Sequence, residues 1–91
     1  MREQELCREA MERYGMSRDP MARALDAASE LGELAKEILK ASDYGAKPVS
    51  ATDAMRGEAG DCLFALFNLC NVLGIDARAA LESTLQKVEA R

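Results

Sequence analysis

Apolar residues recur along this chain at intervals of three and four, interrupted by glycine, proline or short polar runs, and the pattern predicts four helices and no strands. The first covers residues 2 to 14, with Leu6, Ala10 and Met11 on one side and Gly15 placed as a left-handed stop. The second opens at Asp19-Pro20, a capping residue followed by proline in the first helical position, and runs to about Ser42. Gly45 and Pro48 make Asp43 to Val49 a turn. Ser50 with Asp53 three residues on reads as a capping box for the third helix, with Thr52 as a rival cap. That helix extends to about Leu73, Gly74 ends it, and Asp76 caps a last helix from Ala77 to about Ala90.

Placing residues 100° apart separates two faces on the second helix. Leu31, Leu34, Ala35, Ile38 and Leu39 form an apolar arc that predicts a core face, while Glu30, Glu33, Glu37 and Lys40 share the neighbouring strip. On the third helix Leu63, Phe64, Leu66, Phe67, Leu69, Cys70, Val72 and Leu73 point in nearly every direction, as expected of a helix covered on all sides. A 91-residue chain forms one domain, 1–91, and cannot easily surround such a helix unaided. A homo-oligomer, dimer or tetramer, is therefore expected to complete the bundle.

Two short patterns carry the candidate chemistry. Glu30-Leu31-Gly32-Glu33 lies on the second helix and Glu58-Ala59-Gly60-Asp61 in the first turns of the third, and in each a spacing of three puts both carboxylates on one face. Like charges this close repel, and a hard cation with oxygen ligands would relieve the repulsion. Gly32 and Gly60 each disfavour helix by about 1 kcal/mol relative to Ala, which a close approach of two helices would justify.

Composition narrows the choices. With no His and no Trp, Ser/His/Asp and Cys/His catalysis are excluded and a zinc site would lack its usual ligands, which leaves carboxylate chemistry. Sixteen acids against 12 bases give a net charge of −4, so nucleic-acid polymers are not expected partners. Cys7, Cys62 and Cys70 lack paired metal-ligand spacing and are expected as reduced thiols. The absence of a signal-peptide pattern at Met1-Arg2-Glu3 and of a membrane-length apolar run leads to the expectation of a cytoplasmic protein with no membrane partner.

The ordered set Ser29-Glu30-Leu31-Gly32-Glu33-Leu34-Ala35 and Glu58-Ala59-Gly60-Asp61-Cys62-Leu63, continued by Leu73-Gly74-Ile75-Asp76, resembles the MazG-type all-α nucleoside triphosphate pyrophosphohydrolases. The resemblance implies a four-helix, all-α MazG-like fold that cleaves a nucleoside triphosphate to monophosphate and pyrophosphate. It makes Glu30, Glu33, Glu58 and Asp61 the ligands of Mg²⁺, with Mn²⁺ as a substitute, and Glu30 or Glu33 the acceptor of the attacking water's proton. A metal there neutralises phosphate oxygens and activates water. Lys87 and Arg91, four apart on the last helix, together with Lys47 and Asn68, are the candidate substrate-binding residues. The resemblance implies nucleotide-pool house-cleaning, with a phosphoribosyl-ATP pyrophosphatase or a non-catalytic helical dimerisation module of the same fold as alternatives. Ser29 stands where an additional acid is common in the family, which leaves the metal count open.

Overall fold

The computed structural model describes residues 1–91 as four helices: α1 (Arg2–Arg13), α2 (Pro20–Ala41), α3 (Asp53–Leu73) and α4 (Ala77–Glu89). The helix ends follow the sequence signals closely. Asp19 caps α2, its side chain accepting from the Met21 N–H, with Pro20 opening the helix. Thr52, the rival cap, is the one used for α3: its Oγ1 accepts from the Met55 N–H at 3.1 Å. Asp76 caps α4 through the Ala79 N–H at 3.1 Å. Gly74 stops α3 in the left-handed region at φ 70°, a conformation in which a Cβ would be strained.

The connection between α2 and α3 is built on a buried serine. Ser42 Oγ donates to the Leu39 carbonyl and accepts from the Gly45 N–H at 2.9 Å, while the Ser42 carbonyl accepts from the Lys47 N–H at 3.0 Å. Asp43, Tyr44 and Gly45 all take positive φ, so the chain leaves α2 through three consecutive left-handed residues. The reversal lays α3 against α2, and this pairing is the main packing of the fold.

α1 crosses the far end of α3 and is fastened there by Gln4. Its Nε2 donates to Asn71 Oδ1 (3.1 Å) and to the Ile75 carbonyl (2.8 Å), and its Oε1 accepts from the Ala77 N–H (2.9 Å). Asn71 Nδ2 returns a bond to the Gln4 carbonyl and another to Asn68 Oδ1. One side chain therefore satisfies backbone groups on both sides of the elbow at which α4 turns 103° from α3. α4 projects from this elbow with none of its residues buried, and the molecule is a flat plate of 41 × 40 × 22 Å. No single helix is long and apolar enough to cross a membrane.

Two packing expectations are overturned. Most of the arc Leu31, Leu34, Ala35, Ile38, Leu39 is not an internal core face: Leu31 is 61% exposed and Ala35, Ile38 and Leu39 also lie open, whereas Leu34, Glu30 and Glu37 are half-buried. Small and polar residues, Ala27, Glu30, Ala59, Cys62 and Ala65, are half-buried or buried where α2 and α3 meet, and Leu31 and Leu66 edge an open hollow beside Ala27 and Cys62. Gly32 and Gly60 do not mediate a close approach within the chain, since a Cβ on either would meet nothing within 4 Å. Both lie on the sides of their helices turned away from the seam. On α1, Met11 is wholly buried as expected but Leu6 is exposed.

Replacing Gln4 with Leu orphans the Ala77 N–H and the Ile75 carbonyl together, and unfolding free energy is expected to fall by about 1–3 kcal/mol. Thermal melting checks the loss, and faster amide exchange at Ala77 checks its location.

Candidate metal and active site

Glu30, in the middle of α2, faces Glu58 and Asp61 in the first turns of α3. One carboxylate oxygen from each lies within 4.8 Å of the others, a spacing that a single cation among them would bridge. The donors are all hard oxygens, which suits Mg²⁺ or Mn²⁺ and not a thiophilic metal. Glu33 does not join this trio. It lies exposed one turn further along α2, near enough to act on the charge of Glu30.

The electrostatics show the strain of the arrangement. Partial desolvation is the first cause that raises the Glu30 carboxyl above its ordinary range, followed by the charges of Asp61, Asp26, Glu58 and Glu33. The neighbouring Cys62 thiol is pushed up as well, by desolvation and then by Glu30, Glu58 and Asp61, so it is a poor nucleophile at neutral pH. Cys7 and Cys70 are likewise raised by burial, and all three thiols are free. Asp26, one turn before Glu30, contributes to the field but carries no motif signature that would mark it in the sequence.

The remaining candidates are dispersed. Lys47 lies exposed in the α2–α3 turn, and Lys87 lies exposed near the end of α4. Arg91 lies exposed just past the assigned end of α4 at Glu89, where Ala90 keeps helical dihedrals and its N–H bonds the Gln86 carbonyl at 3.1 Å. Asn68 is fully buried, its Oδ1 accepting from Asn71 Nδ2.

A sequence profile of the MazG nucleotide pyrophosphohydrolase domain matches residues 19–91, the span from the cap of α2 through both acidic motifs and α4. The chain belongs to the MazG family. None of the curated proteins is significantly similar to it. Among solved structures, it is similar to YPJD of Bacillus subtilis, described as a putative pyrophosphatase, with 32% identity and a TM-score of 0.76. The similarity covers 97% of this chain and 90% of the Bacillus chain. The all-α MazG-like fold and a hydrolase activity on a nucleotide's acid-anhydride linkage follow from membership. Three of the four acids in the two motifs, Glu30, Glu58 and Asp61, are the ones that the α2–α3 pairing draws together.

The raised carboxyl of Glu30 has a defined sign. A folded state that holds this proton more tightly than the unfolded chain is stabilised at low pH. It loses that contribution as pH rises from the ordinary glutamate value through the higher folded one. Asp61→Asn removes the largest neighbouring charge from Glu30, so the metal-free variant is expected to melt slightly higher than the parent at pH 8, with a smaller difference at pH 4. Melting curves in chelator at both pH values test this. A variant that melts well below the parent at pH 8 would show that Asp61 supports the fold.

Proposed function

We propose that this protein is a Mg²⁺-dependent pyrophosphohydrolase that converts a nucleoside or deoxynucleoside triphosphate and water to the monophosphate and pyrophosphate, in the cytoplasm, removing surplus or non-standard nucleotides. The observation that carries the reading is the convergence of Glu30, Glu58 and Asp61 across the α2–α3 seam. A divalent cation held there supplies charge neutralisation for the phosphate oxygens and activation of water. The chain's own contribution is to fix three ligands on two packed helices and to keep a further acid nearby. Water oxygen adds to the α-phosphorus, the bond to the α–β bridging oxygen breaks, and pyrophosphate leaves with that oxygen.

The proton released from the water needs an acceptor. Glu33 fits this role better than Glu30, because Glu30 already belongs to the converging trio whereas Glu33 stands beside it. Lys47, Lys87 and Arg91 are proposed to meet the phosphates, each being an exposed cation free to reorient.

The same reading includes a homo-oligomer. Only Met11, Met55 and Ala65 form a buried apolar core, whereas 16 large apolar residues are exposed. An open apolar hollow of about 330 Å³ between α3 and α4 is lined by Leu63, Leu66, Phe67, Cys70, Ala80 and Leu81 among others. A second copy seated on this face would surround α3 as its sequence requires.

Incubating the protein with a panel of triphosphates and Mg²⁺ is expected to release pyrophosphate. Glu58→Gln should lower kcat/KM about a hundredfold or more. Glu33→Gln should lower kcat while leaving Mn²⁺ affinity close to that of the parent. Pyrophosphate release from phosphoribosyl-ATP alone would redirect the substrate assignment. For the assembly, Phe67→Glu should dissociate or unfold the oligomer in light scattering after gel filtration. An unchanged, folded assembly would remove this face from the interface.

A further inference from the structure

Three buried side-chain nitrogens in the molecule have no hydrogen-bond partner: Nε and Nη1 of Arg23 and Nδ2 of Asn68. All three are donors. Arg23 is the one buried cation, 9% exposed, and its nearest counter-charge is Asp26 Oδ2 at 3.6 Å from Nη1, an ion pair too long for a hydrogen bond. The third guanidinium nitrogen makes no hydrogen bond either and is not sealed from solvent. Leaving such groups unmade in the interior is costly, so their shared character points to an acceptor that they are built to receive.

The amide of Asn68 is oriented without ambiguity. Asn71 must present its nitrogen to the Gln4 carbonyl, which can only accept, and the same nitrogen then donates to Asn68. The Asn68 atom facing it is therefore oxygen, and the nitrogen left over is the orphan.

Register brings the two residues to one level. Across the seam Glu30 meets Asp61, and the chain reverses between Ala41 and Asp53 to lay α3 back against α2, so the helices are antiparallel. Seven residues back from Glu30 on α2 and seven on from Asp61 on α3 arrive at Arg23 and Asn68. On α2, Arg23, Asp26 and Glu30 occupy one stripe, and Arg23 stands about 10.5 Å along the helix from Glu30 at 1.5 Å per residue.

We propose that Arg23 and Asn68 form an anion subsite that receives a phosphate group of the bound substrate, at the opposite end of the seam site from the carboxylates. The proposal rests on the pyrophosphohydrolase reading above for the identity of its ligand. A cluster of carboxylates repels a polyphosphate except where a cation intervenes, and a guanidinium beyond the cluster draws the remaining phosphate charge along the seam. The planar fork of an arginine suits two phosphate oxygens at once, and the Asn68 amide adds a third donor.

Arg23→Gln, Arg23→Lys and Asn68→Asp separate this role from a structural one, using inorganic tripolyphosphate and Mn²⁺ as probes in titration calorimetry alongside thermal melts. Arg23→Gln is expected to weaken tripolyphosphate binding tenfold or more while Mn²⁺ affinity stays within twofold, and Arg23→Lys is expected to fall between it and the parent. Asn68→Asp sets an internal counter-ion opposite the guanidinium, so its melting temperature should rise while tripolyphosphate binding falls at least tenfold. This variant keeps the test decisive if Arg23→Gln does not fold. Tripolyphosphate binding by Arg23→Gln within twofold of the parent would overturn the subsite, as would a parent that does not bind tripolyphosphate. A lowered melting temperature for Asn68→Asp would also overturn it, by separating the two residues. Arg23-dependent tripolyphosphate binding in a protein that neither binds Mn²⁺ nor releases pyrophosphate would leave the subsite standing and remove the enzymatic reading.

Discussion

Three carboxylates facing one another across a helix pair set the terms for the rest of this structure. Helices that meet through acids must meet through small residues beside them, because bulky aliphatic groups would hold the backbones apart and disperse the oxygens. Ala27, Ala59, Cys62 and Ala65 therefore occupy the seam, and of the bulky aliphatics of α2 only Leu34 is half-buried while Leu25, Leu31, Ile38 and Leu39 lie exposed. A fold that devotes its best-packed interface to polar chemistry has little apolar interior left over. That explains why the hydrophobic surface is large in a chain whose composition is that of a compact protein.

The same constraint explains what could and could not be read from the residue order. Helix boundaries were legible because each rests on local backbone chemistry: an Asp or Thr hydroxyl or carboxylate meeting a free N–H, proline at a first turn, glycine at a left-handed stop. The acids that converge were legible as well, since a spacing of three fixes a face. The direction of that face was not. Periodicity identifies the apolar stripe of α2 but says nothing of whether it packs against its own chain, so Leu31 and Ile38 were assigned to an interior that α3 does not provide. The glycines were misread for a related reason, because their cost was visible and their surroundings were not.

Long-range polar contacts were beyond the reach of any local rule. Gln4 pairs with Asn71, Ile75 and Ala77, about seventy residues away, and no motif announces it. Arg23 was equally silent: in the sequence it is one of 12 basic residues, and only burial without partners sets it apart from the eleven others. Asn68 was noticed for its position on the helix bearing Asp61, yet its complete burial depends on how the other helices pack around α3.

The elbow held by Gln4 works as a lever. A 13-residue helix is roughly 20 Å long, so a 10° change at its base would carry the far end through roughly 3 Å. Lys87 rides on that far end, and the amide of a single glutamine near the start of the first helix governs its reach. Events at the amino-terminal helix, such as a fused tag or a bound partner, would in this way be felt some seventy residues later in the sequence, as a repositioned positive charge.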